Sequence, residues 1–118
     1  MRDLNEMLSF SHMDSCDGKT IADGVTVRPF YLHSTCLALL EMHAGSCIPQ
    51  HRHIHEQISY VLEGKIEVTV GGEVRILGKG EVFGVKSNLS HSIRALGAGA
   101  KMVVASSPLL QDYEFEKQ

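Results

Sequence analysis

The sequence holds no basic cluster, no long apolar run and no paired set of cysteines, and each absence removes a class of function. Its basic residues are scattered and the net charge is −3. No stripe of Lys and Arg exists to track phosphates, so nucleic acid is not an expected partner. No segment approaches the length needed to span a bilayer, so no membrane role is expected either. Met1-Arg2-Asp3-Leu4-Asn5-Glu6 carries acids and lacks an apolar stretch, so no secretory leader is expected. Cys16, Cys36 and Cys47 are an odd number without paired spacing, which fits a reducing cytoplasm better than secretion. There is also no low-complexity tract, no linker and no sign of a second domain. What remains is a chain of 118 residues, 43% hydrophobic and 21% charged. That is one globular domain, 1–118, large enough for a core without disulfides or a structural metal.

Along the chain, apolar residues alternate over short stretches between glycine turns. Residues 1 to about 20 read as a turn-like or helical lead-in. Val25-Thr26-Val27-Arg28 and Phe30-Tyr31-Leu32 read as strand, with Pro29 marking an edge. Thr35 to Met42 is a strand ending at Ala44-Gly45-Ser46, and Gln50 to His53 is the next. Gln57 to Leu62 follows, then a turn at Glu63-Gly64-Lys65, then the plain alternation of Ile66-Glu67-Val68-Thr69-Val70. Gly71-Gly72 is a two-residue hairpin signal, returning through Val74 to Leu77. Val82 to Val85, His91 to Ala95 and Lys101 to Ser106 complete the set, with a turn at Gly97 and Gly99. Many short strands with glycine turns and no convincing internal helix predict an antiparallel barrel or sandwich. Residues after Pro108 are expected to pack across the barrel's outside.

Histidine is where the sequence departs from the ordinary. His51 and His53 flank Arg52 in an extended stretch, so their side chains share a face. Gln57 follows, and His91 stands beside a second turn-rich segment. Imidazoles converging from two strands with an oxygen donor suit a divalent transition metal: Ni, Zn, Mn or Fe. Glu56 is anionic and adjacent, but strand alternation turns it away from Gln57. His55 is expected at the rim, and Cys47 as a small buried thiol. His12, His33 and His43 fit no such pattern and read as surface or ordinary core.

The order Gly45, His51, His53, Gln57, Gly64 resembles the first motif of the cupin family. Gly80, Lys86, Asn88 and His91 resemble its second, with Lys86 and Asn88 where the family usually has proline and glycine. The resemblance spans most of residues 24–113. It implies an all-β, double-stranded β-helix (jelly-roll) barrel, with a core at about 36–106 and an N-terminal arm over 1–35. It also implies a metal held by His51, His53, Gln57 and His91. In the family the oxygen ligand is usually a glutamate. Glutamine leaves the donor set neutral, so the ion keeps its full charge and should favour an anionic or chelating small molecule.

Within cupins, His51 to Gly64 and Ser107-Pro108-Leu109-Leu110-Gln111-Asp112-Tyr113 are most similar to the pectin-degradation type, whose members convert unsaturated uronates to linear keto sugars. That type's pattern places an aspartate, a phenylalanine and an arginine near its tail. Aligned on Ser107-Pro108, this chain has Val104, Ser106 and Leu110, which supply neither an acid nor a guanidinium. Three functions stay open: a metal-dependent enzyme on a small oxygenated, sugar-acid-like substrate; a non-catalytic small-molecule-binding or sensor protein; and an Fe(II) dioxygenase. The open edge at residues 24–32 predicts a homodimer.

Overall fold

The computed structural model describes residues 10–107. Within them, eight antiparallel strands run as β1 (Lys19–Ala22), β2 (Val25–Tyr31), β3 (Cys36–Met42), β4 (Cys47–His51), β5 (Glu56–Val70), β6 (Glu73–Gly78), β7 (Val82–Val85) and β8 (His91–Ser107). A single 3-10 turn, Met13–Ser15, precedes them. The fold is the antiparallel all-β barrel that the strand pattern anticipates, in the jelly-roll form that the cupin resemblance implies. Pairing follows the order β1-β2-β3-β8-β5-β6, with β4 added to β8 and β7 added to β5.

Two long strands make the barrel. The first half of β5, Glu56 to Val61, pairs with the end of β8, Met102 to Ser107. Its second half, Lys65 to Val70, pairs with the beginning of β8, His91 to Leu96. Between the halves both strands turn a corner, and the register slips there. Glycine makes the corner possible. Gly64 has φ 78°, and a Cβ on it would sit 2.0 Å from the Gly99 carbonyl oxygen. Gly99 has φ 105°, with the Met42 carbonyl oxygen 2.5 Å from where its Cβ would be. No side chain fits either place, so these glycines bend strands that would otherwise run straight out of the sheet.

This corrects two sequence expectations. Glu63-Gly64-Lys65 and the Gly97–Gly99 stretch do not end strands; they are irregular points inside continuous ones. Glycine signals a turn and a strand corner alike, and only the non-local pairing separates the two. Three smaller corrections follow. The lead-in to residue 20 runs into β1, which is hairpinned onto β2 through Asp23-Gly24. β4 begins at Cys47 and stops at His51 rather than running from Gln50 to His53. Cys47 is exposed, so the buried thiol is Cys36 instead.

Elsewhere the pattern holds. Gly71 and Gly72, with φ 57° and 88°, form the hairpin turn whose positive dihedrals match strand twist. Pro29 pairs with Ala38 on β3, while β1 reaches no further than Val27 on the other side. Pro29 therefore sits where no hydrogen-bond donor is asked of it. Val25 and Val27 are fully buried with Val61, Ile66, Val68, Met102 and Val104 in one core. Strand β2 thus belongs to the packed sheet. No helix among the described residues is long and apolar enough to cross a membrane. The tail after Pro108, including Leu110, lies outside the described residues.

Candidate metal centre

The barrel's inward positions are apolar except in one region. There, His51, His53, Gln57, Ser59, His91 and Ser106 are all buried. Each comes from the alternation of a strand or its extension. His51 ends β4 and is the register partner of His91, which opens β8. Gln57 and Ser59 occupy successive inward positions of β5, and Gln57 is the register partner of both Val85 and Ser106.

His53 lies just past the end of β4, in the segment that leads to β5. Alternation survives that far: His51 and His53 are buried and Arg52 between them is exposed. The segment is tied to the β7–β8 loop by a 2.7 Å hydrogen bond from the Asn88 backbone N–H to the His53 carbonyl. Asn88 adopts φ 62°, a left-handed conformation that asparagine tolerates better than other side chains. Asn88 stands at the position where the cupin resemblance expects glycine.

The three imidazoles face one another. Ring centroids are 4.1 Å apart for His51 and His91, 5.0 Å for His53 and His91, and 5.5 Å for His51 and His53. One ligand atom from each lies within 4.8 Å of the others. Every Nδ1 is committed to a backbone carbonyl: His51 to Pro49 at 2.8 Å, His53 to His55 at 2.8 Å, His91 to Leu89 at 2.9 Å. A neutral imidazole donating from Nδ1 carries its lone pair on Nε2. The Nε2 atoms of His53 and His91 are buried and find no hydrogen-bond partner.

Burial also keeps these rings uncharged. Loss of solvation is the main cause that pushes His51 down to about 4, with the Pro49 carbonyl opposing it and His91 and His53 adding to it. His53 and His91 are lowered too, again chiefly by burial. At neutral pH the cluster therefore offers neutral nitrogens rather than protons. Orphaned inward nitrogens with fixed tautomers fit a divalent ion.

Gln57 is only 9% exposed, and its Nε2 donates to the Ser59 hydroxyl at 3.4 Å. Its carboxamide stands beside His53 and partly offsets the cost of protonating that ring. Glu56 is exposed and half-buried His55 stands at the margin, its ring 6.0 Å from that of His53. His12, His33 and His43 are all exposed. Ser59 was not singled out by the sequence, although its parity with Gln57 and Val61 on β5 places it inward. Val104 and Ser106 are buried on the inner wall of β8, and the Ser106 hydroxyl has no partner. Among the described residues no carboxylate and no Lys or Arg is buried beside the histidines. A groove of about 540 Å³ lies instead around Thr26, Arg28, Glu41, His43 and Lys101. Its charges are internally matched, with Glu41 3.0 Å from Arg28 and 4.0 Å from Lys101.

Comparison with known proteins gives a consistent result. Residues 38–106 match the cupin domain. The chain is 31% identical over 103 residues to the pectin degradation protein KdgF of Dickeya dadantii, covering 85% of this chain and 93% of that protein. A solved RmlC-like cupin from Shewanella frigidimarina superimposes with a TM-score of 0.84 at 25% identity, over 92% of this chain and 97% of that one. The structure of KdgF from Halomonas sp. superimposes with a TM-score of 0.82 at 24% identity, over 92% of this chain and 100% of that one.

Proposed function

Because the chain belongs to the cupin family, we propose that it is a metal-dependent cupin enzyme acting on a small, oxygenated, sugar-acid-like substrate. One observation carries the reading: three buried imidazoles turn toward one point with their Nδ1 atoms already committed to the backbone. His51, His53 and His91 would hold the ion, and Gln57 would supply the oxygen donor. Ni, Zn, Mn and Fe all suit such donors. Bound there, the ion polarises a carbonyl or hydroxyl oxygen. The neutral donor set leaves its double charge uncompensated, which favours an anionic, chelating ligand. Likeness to a pectin degradation protein supports a sugar acid as the substrate class.

A second reading has an observation of its own. Val104 and Ser106 stand where a uronate-converting cupin would carry an aspartate and a phenylalanine, and no carboxylate is buried beside the histidines. Proton transfer would then fall to the histidines or to the ligand itself. This favours a non-catalytic binding or sensor protein. Iron retained from the cell would instead favour the dioxygenase reading. The readings separate by incubating metal-loaded protein with unsaturated and saturated sugar acids and following product by NMR. Conversion lost in His91→Ala supports the enzyme. Saturable binding without conversion contradicts it and supports the sensor.

The remaining parts of the reading are a homodimer and a cytoplasmic location. The edge of β2 beyond Val27 is open among the described strands, which supports the first. Three cysteines, none in a disulfide, support the second.

A further inference from the structure

Gln57 and Ser59 stand two residues apart on the inner face of β5, and Ser59 is completely buried. The Gln57 Nε2 donates to the Ser59 oxygen at 3.4 Å, a long contact that orients more than it binds. With its nitrogen held by Ser59, the carboxamide has its oxygen, the acceptor, turned away from that contact. That arrangement is unexpected for the protein alone. His53 gives its Nδ1 hydrogen to the His55 carbonyl, so Nε2 presents a lone pair, and this buried nitrogen has no partner. A carboxamide free to turn could offer an N–H donor to such a lone pair. Here the N–H is given to Ser59 instead. An amide oxygen and an imidazole lone pair, both acceptors, can share a site when a cation lies between them.

We propose that Ser59 is a positioning residue, whose hydroxyl holds the Gln57 carboxamide with Oε1, rather than Nε2, toward an ion bound by His51, His53 and His91. The inference rests on the metal-binding reading and adds to it how a glutamine serves where a carboxylate is usual. A carboxylate has two equivalent oxygens and needs no such orientation. A carboxamide has one productive face and one obstructive face, which differ only by a rotation. Without Ser59, the amide turns, donates to the His53 Nε2 and occupies the lone pair that the ion requires.

A double-substitution cycle tests this, with Zn²⁺ as the probe and a chromophoric chelator as competitor. Ser59→Ala, a small change that leaves the strand intact, should weaken Zn²⁺ binding about tenfold while Gln57 is present, the scale expected for losing a partner that orients a ligand. In the Gln57→Ala background the same change should alter binding less than twofold, because nothing is left to orient. The Co²⁺-loaded Ser59→Ala protein should show the visible spectrum of Gln57→Ala rather than that of the unsubstituted protein. An equal loss in both backgrounds would assign Ser59 a packing role and overturn the inference. So would Zn²⁺ binding that is abolished in His91→Ala but indifferent to Ser59→Ala. Zn²⁺ binding left intact by His91→Ala would overturn the metal reading itself, and this inference with it.

Discussion

Metal-free protein should lose stability as the pH falls from 6.5 toward 4, and His51 sets much of the size of that loss. Folded, its imidazole is held down to about 4 by burial against an ordinary value of 6.5. The unfolded chain therefore binds a proton first. Above 6.5 the ring is neutral in both states and contributes no pH dependence. Between 6.5 and 4 the unfolded state alone is protonated, and folding weakens by about 1.4 kcal/mol for each pH unit. Over the whole window that amounts to roughly 3 kcal/mol, a large share of the 5–15 kcal/mol typical of a domain. His53 and His91 are lowered for the same reason and act in the same direction. The assay is urea denaturation of chelator-treated protein at pH 6.5 and pH 5, for the unsubstituted chain and for His51→Gln. The unsubstituted chain should lose about 2 kcal/mol more than the variant between the two conditions. Parallel losses would show that His51 is not buried as a neutral ring, and the reasoning would fail.

Other outcomes follow from the same geometry. Gln57→Glu places a charge among neutral donors and should tighten Zn²⁺ at least tenfold by chelator competition; unchanged or weaker binding would count against Gln57 as a ligand. Gly64→Ala forces a side chain onto the Gly99 carbonyl at a positive φ and should cost more than about 2 kcal/mol in chemical denaturation, whereas a near-neutral effect would contradict the corner geometry. Light scattering should give twice the 13.0 kDa mass of the chain, and a monomer at micromolar concentration would remove the homodimer.

Local signals carried most of what was legible. Short apolar or β-branched stretches between turn residues mark β2, β3, β6 and β7, and Gly71-Gly72 announces its hairpin, because both are written into neighbouring residues. Spacing placed Gln57 inward and Glu56 outward, for the same reason. Gly64 and Gly99 read locally as turns, because their role depends on β5 and β8 pairing twice, on either side of the corner. Strand β1 is not legible locally because Lys19-Thr20-Ile21-Ala22 is short and half polar, and acquires its form from β2. Cys47 was expected inside on composition alone, but the alternation of β4 gives the inward place to Ile48. The commitment of each Nδ1 to a carbonyl was not readable at all, since it depends on backbone geometry around each histidine.

The proposed centre requires one ion to meet imidazoles from two separate parts of the chain. Elemental analysis of purified protein, beside His51→Ala and His91→Ala, tests this most directly. About one divalent ion per chain is expected in the unsubstituted protein, with a loss of most of it in each variant. Equal metal content in all three would contradict the account.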